Sequence, residues 1–141
     1  MIIELDKHSK YLDELENMFT DVFTKEKVLF DINNNTFTRY YAYIIDSKAV
    51  AFINYYLIYE RAELININVK EDYQNKKIGT KLIEQMINDC RKNNVSSITL
   101  EVKKSNNNAI HLYEKIGFNK VSIRKGYYQG IDGILMEKEL N

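Results

Sequence analysis

The spacing of apolar residues changes several times along this chain, and each change marks a boundary between elements. The opening "MIIEL" reads as a short strand. In "KYLDELENMFTDVF", residues 10–23, Leu12, Leu15, Phe19, Val22 and Phe23 recur at helical spacing, which predicts a helix. "EKVLFDI" predicts a second short helix that ends in the polar run Asn33–Asn35. The middle of the chain is strand-like. "YYAYIID" and "KAVAFINYYLIY" are apolar and rich in β-branched and aromatic residues, and Asp46-Ser47 between them suits a hairpin turn. "AELININV" follows as a third strand of this antiparallel set.

From Ile78 the period lengthens. Leu82, Ile83, Met86, Ile87 and Cys90 share one helical face with Ile78, while Lys81, Glu84, Asn88 and Asp89 lie opposite, and "RKNN" ends the helix. "SSITLEVKK" then alternates strictly, with Ile98, Leu100 and Val102 on one face and Thr99, Glu101 and Lys103 on the other. "NNNAIHLYEKIGF" predicts a helix with an Asn-rich start and a glycine C-cap at Gly117. "NKVSIRKGYY" and "GILMEKEL" close the chain as two strands. The order is β-α-(α)-β-β-β-α-β-α-β-β, an α/β (α+β) domain. Its central strand–helix–strand unit predicts a right-handed crossover between parallel neighbours.

Composition narrows the classes of function. The 141 residues suit a single domain over 1–141 with a real core. Twenty basic residues balance twenty acidic ones, so no overall field favours nucleic acid or an anionic membrane. The longest apolar runs fall well short of the roughly 20 residues that span a bilayer, and "MIIELDKHSK" becomes charged too early for a secretory signal. The single cysteine, Cys90, excludes an internal disulfide and a multi-thiolate zinc site and suits a reducing compartment. His8 and His111 lack metal-ligand spacing, so no metal is assigned. The expectation is a cytoplasmic protein, a monomer or weak dimer, without direct contacts to nucleic acid or membrane.

The stretch with chemical potential is "NVKEDYQNKKIGTKLI", where a strand gives way to a helix. Free backbone N–H groups and the positive end of the helix dipole make such a junction an anion site. In "QNKKIG" (74–79) a pyrophosphate would meet Lys76 and Lys77, with Lys81 adding charge. The competing reading is an ordinary helix that happens to begin with exposed lysines.

At this point the sequence resembles the GNAT acetyltransferases, whose first signature is Q/R-x-x-G-x-G/A after the fourth strand. Gln74, Asn75, Lys76, Lys77, Ile78 and Gly79 fill it, with Lys77 in place of the first glycine. "LEVKKSNNNAIHLYEKIGF" (100–118) is similar to the family's second segment, L-x-V-x-x-x-N-x-x-A-x-x-L-Y-x-x-x-G-F, at every marked position. The resemblance implies a GNAT fold, a largely antiparallel mixed sheet of about seven strands flanked by about four helices. It also implies a cleft between splayed fourth and fifth strands that binds acetyl-CoA. "LEVKKSN", "AIHLYEKIGF" and "IRKGYYQGIDGILMEKEL" resemble more narrowly the ribosomal-protein-alanine N-acetyltransferases, which acetylate the N-terminal alanine of ribosomal protein S18. That narrower likeness implies the N-terminal peptide of a ribosomal protein as partner.

The resemblance also implies roles. Glu101 matches the glutamate that acts as base, directly or through water; its plain reading is a solvent-facing strand carboxylate. Tyr113 matches the tyrosine that protonates the CoA thiolate; its plain reading is a core residue of an amphipathic helix. The backbone of Ile67, Asn68 and Val69 matches the bulged strand that meets the oxyanion and the pantetheine arm. Asn75, Lys76, Lys77, Ile78, Gly79 and Thr80 match the pyrophosphate turn, with Gly79 expected to be its most restrictive position. Asn106 matches a CoA-contacting asparagine, or else caps its helix. Cys90, on an apolar helical face, reads as core, which favours direct transfer over an acetyl-cysteine route. Tyr55, Tyr56, Tyr59, Tyr127 and Tyr128 suit either a peptide groove or sheet packing. Two other functions stay open: acetylation of a small amine such as a polyamine, amino sugar or drug, and a non-catalytic acyl-CoA-binding module.

Overall fold

A computed structural model describes residues 1–19 and 24–140. Its element order is β1 (Ile2–Glu4), α1 (Tyr11–Leu15), α2 (Lys25–Asn34), β2 (Thr38–Ile45), β3 (Lys48–Ile58), β4 (Arg61–Val69), α3 (Ile78–Lys92), β5 (Ser97–Lys103), α4 (Asn107–Ile116), β6 (Asn119–Tyr128) and β7 (Ile131–Glu139). The strands form one seven-stranded sheet in the order β1-β2-β3-β4-β5-β7-β6. Every pairing is antiparallel except β4 with β5, the parallel pair expected across the α3 crossover.

The first helix is shorter than its apolar spacing predicts. After Leu15 the chain tightens into a 3-10 turn over Glu16–Met18, and Phe19 is already extended at φ −81°, ψ 150°. The Phe19 ring packs edge-on against Phe52 of β3 with centroids 5.4 Å apart, a contact that draws the chain off the helical path. Val22 and Phe23 lie outside the described residues. α2 begins a residue earlier than expected and runs further, because Thr24 caps it by accepting from the Lys27 amide at 3.2 Å.

The β2–β3 hairpin turns at Asp46 and Ser47, both left-handed (φ 50° and 65°), matching the twist-compatible two-residue turn. β3 is buried along most of its length because both faces of the sheet are covered there. On one face Leu12, Leu15 and Val28 from α1 and α2 pack on Tyr40, Ala42 and Phe52. On the other, the predicted α3 stripe of Ile78, Leu82, Ile83, Met86, Ile87 and Cys90 packs with Ile98, Leu100, Val102 and α4. Alternation along β5 therefore sends Glu101 to the α1/α2 side and its apolar neighbours to the α3/α4 side.

Two irregularities open the sheet. β4 pairs with β5 only over Arg61–Glu63 and Ser97–Thr99, after which the strands part. The β3–β4 register shifts between Asn54 and Tyr55, leaving Ile65 as the extra residue of a bulge at the level where the strands separate.

Candidate functional site

The parting of β4 from β5 forms a cleft of about 560 Å³, in the range of small-molecule sites. Ile67, Asn68 and Val69 line it from β4, Asn75, Lys77, Ile78, Gly79 and Thr80 from the turn into α3, and Asn106 and Tyr113 from the α4 side. Of the residues expected to hold a coenzyme, only Lys76 is missing from this lining. Its ammonium group sits over the Tyr73 ring, 5.5 Å from the centroid. Lys81 also departs from expectation, since its Nζ lies 3.4 Å from the Tyr43 hydroxyl and it lines a separate hollow with Met1 and Ile2. One turn of helix carries it away from the start of α3.

The backbone of the turn explains what the lysine-rich sequence does. Lys77 is the N-cap of α3 and is left-handed at φ 63°, ψ 18°; Asn75 is also left-handed at φ 63°. A left-handed residue followed by a helical one aims consecutive N–H groups into one concavity, an anion nest. The first helical bond runs from the Lys81 amide to the Lys77 carbonyl at 3.1 Å, so the Ile78, Gly79 and Thr80 amides have no partner inside the helix. Lysine carries no acceptor with which to cap them. Positive φ therefore falls on Lys77 rather than Gly79. A Cβ added at Gly79 would meet Leu112 Cδ2 at 3.7 Å, an ordinary contact, so packing within the protein does not itself require glycine there.

The opposite helix behaves differently. Asn106 caps α4 by accepting from the Ala109 amide through Oδ1 at 3.2 Å. Its structural and cleft-lining positions coexist, with Nδ2 left as a donor. The last turn of α4 closes through Gly117 at φ 111°, where the Gly117 and Phe118 amides both donate to the Tyr113 carbonyl.

On β4 the amides divide by direction. The Lys70 amide donates to the Val50 carbonyl of β3 at 2.9 Å. Main-chain groups alternate along an antiparallel strand, so Asn68 faces β3 while Ile67 and Val69 turn theirs to the open side. The Val69 carbonyl there accepts from Gln74 Nε2 at 3.0 Å, tying the first residue of the turn to the strand.

Tyr113 is 7% exposed and packs 5.9 Å from Phe118; burial pushes its phenol up to about 12. Glu101 is absent from the cleft lining. It stands on the other face of the sheet, where Tyr128 donates to Oε1 at 2.8 Å and Arg124 Nη1 approaches the same oxygen at 3.5 Å. With its side chain 21% exposed, it is a half-buried carboxylate rather than a solvent-facing one. Tyr128, its donor, stood out in the sequence through the paired tyrosines of the tail segment, without a role toward Glu101.

Those tyrosines separate in the structure. Tyr55 is fully buried, stacks on Tyr41, and donates to Asp89 of α3 at 2.6 Å. Tyr59 is exposed against Phe37. Cys90 is fully buried, and burial first, then nearby Asp89, push its thiol up to about 12. Among the described residues no group of three or more His, Cys, Asp or Glu is placed to hold a metal, and no helix is long and apolar enough to cross a membrane.

A mixed sheet whose parallel pair is prised apart beside an uncapped helix start defines the class: the chain belongs to the acetyltransferase (GNAT) family, whose sequence profile matches residues 4–118. Among particular relatives, it is 41% identical over 88 residues to the [ribosomal protein bS18]-alanine N-acetyltransferase of Escherichia coli K12, covering 62% of this chain and 60% of that one. It is 42% identical over 82 residues to an N-alpha-acetyltransferase of Saccharolobus solfataricus, covering 57% of this chain and 49% of that one. The chain thus spans about half to three-fifths of the length of these curated relatives. The crystal structure of the ribosomal-protein-S18-alanine N-acetyltransferase from Escherichia coli superposes with a TM-score of 0.84 at 29% identity, over 100% of this chain and 95% of that one.

Proposed function

We propose that this chain transfers acetyl from acetyl-CoA to the α-amine at a protein N-terminus, with the N-terminal alanine of ribosomal protein bS18 as acceptor. The observation that carries the reading is the gap between β4 and β5, which has open helix amides on one side and a held carboxylate on the other. Likeness to the bS18-alanine enzymes supports the choice of acceptor.

The nest at Lys77–Ile78, with the amides of Gly79 and Thr80, would hold the coenzyme's pyrophosphate, and Asn106 Nδ2 would donate to the arm that follows. Ile67 and Val69 amides would pair with the pantetheine chain as a strand edge does. Acetyl-CoA supplies the activated acetyl thioester. A free α-amine has a pKa near 8, so at neutral pH only a minority is uncharged and able to attack. Glu101 receives the amine's proton from the α1/α2 side of the sheet. An open-side amide of β4 donates to the carbonyl oxygen as negative charge develops there. Tyr113, kept protonated by burial, gives its proton to the departing sulfur. The inert Cys90 fits direct attack within a ternary complex. The setting we propose is the cytoplasm, with the protein acting as a monomer or weak dimer.

The test is acetyl transfer from acetyl-CoA to a bS18 N-terminal peptide, alongside the same peptide with its α-amine blocked. Labelling confined to the free amine is expected. Equal labelling of both peptides, or activity only on spermidine or an aminoglycoside, would overturn the reading.

A further inference from the structure

Glu101 is gripped by a small assembly on the β6–β7 hairpin. Tyr128 donates to Oε1 at 2.8 Å, and Arg124 meets the same oxygen at 3.5 Å. Arg124 Cζ sits over the Tyr127 ring 3.8 Å from its centroid, Tyr127 braces Tyr128 edge-on with centroids 5.0 Å apart, and Lys103 covers the Tyr128 ring at 5.4 Å. The hairpin is shaped for this grip. Its register shifts between Arg124 and Tyr128, and the Gly126 amide is pinned to Asp132 Oδ1 at 2.9 Å.

Gly133, paired with both Lys103 and Arg124, sits beneath the contact. A Cβ added there would come within 3.0 Å of Tyr128 Cε2 and 3.3 Å of Glu101 Cδ and Oε1. The glycine leaves the slot in which phenol and carboxylate meet. Both donors fall on Oε1, so among the described residues Oε2 carries no side-chain donor.

We infer that Tyr128 is a positioning residue, which with the space left by Gly133 holds one oxygen of Glu101 so that the other is presented to the incoming amine. The inference rests on Glu101 being the base. A hydrogen bond to a charged group strengthens placement without touching substrate, so its loss should appear in turnover rather than in binding.

The experiment is a double-mutant cycle on the full chain with acetyl-CoA and the bS18 peptide. Tyr128→Phe is expected to lower kcat about tenfold, the scale of one charge-assisted hydrogen bond, with both KM values within about twofold. Gly133→Ala should give the same loss, and Tyr128→Phe should add nothing in a Glu101→Gln background. Peptide KM rising at unchanged kcat would make Tyr128 a groove wall and overturn the inference. Losses that multiply in the double variant would overturn it equally. If Glu101→Gln keeps its kcat, the base assignment falls and the inference with it. If Glu101→Gln loses kcat while Tyr128→Phe and Gly133→Ala do not, only the inference falls.

Discussion

Glu101 and Tyr113 stand on opposite faces of the sheet, the carboxylate on the α1/α2 side of β5 and the phenol buried with α4 on the other. Strand alternation imposes the separation, and the gap between β4 and β5 is where the two sides communicate. Acyl donor and amine would therefore approach from different faces. Glu101→Gln should lower kcat by about 10²–10⁴-fold near neutral pH, the range of a lost general base. CoA affinity, measured by calorimetry, should be unchanged.

Tyr113→Phe should cost less, about tenfold in kcat, because a thiol is already a fair leaving group. Its phenol is raised to about 12 by burial, so the hydroxyl stays protonated well beyond the ordinary tyrosine value near 10. The pH profile of kcat should accordingly show no falling limb from Tyr113 below about pH 11, the first unit under that raised value. A limb near 10 that disappears in Tyr113→Phe would contradict this.

Lys77→Gly separates the backbone of the turn from its side chain. Relief of a left-handed non-glycine residue outweighs the added chain entropy, for a net gain of up to about 1 kcal/mol in stability. CoA affinity should fall by no more than about threefold, under 1 kcal/mol, because the amides that form the nest remain. A loss of a hundredfold in titration would assign the phosphate contact to the ammonium group.

The Tyr55–Asp89 bond clamps the last turns of α3 to β3. Tyr55→Phe should destabilise the domain by about 1.5–3 kcal/mol, the scale for a hydrogen bond to a charged partner. Desolvation first, then Asp89, raises the Tyr55 pKa. The protonated phenol is therefore favoured by folding. This contribution is fully present below the ordinary tyrosine pKa near 10 and is lost as pH rises above it. In thermal melts the gap between wild type and Tyr55→Phe should narrow by about 1.4 kcal/mol between pH 8 and 11.

Elements whose burial is set by a local period were legible in the sequence. The α3 stripe from Ile78 to Cys90 is buried residue for residue, and β5 alternates as written. The first helix was not, because Phe19 answers to Phe52, a partner far along the chain. In the turn, motif spacing located the open amides but not which residue turns left-handed, since a side chain's identity does not reveal its φ. Lys81 illustrates the limit of counting charges, as helical rotation delivers it to Tyr43. The grip on Glu101 lay furthest from view. It depends on the β6–β7 register, on a glycine whose value is the volume it leaves empty, and on a tyrosine whose partner lies on another strand.

The two helices that border the cleft begin differently among the described residues, α4 closed by its own Asn106 and α3 without a side-chain cap at Lys77. An unfilled helix start frays more readily, so an anion bound there would steady the first turn of α3. Occupancy and folding are then thermodynamically linked. Coenzyme at a hundred times its dissociation constant would add about 2.7 kcal/mol to stability. On this view coenzyme, acetylated or not, would prolong the folded state, since both forms carry the pyrophosphate.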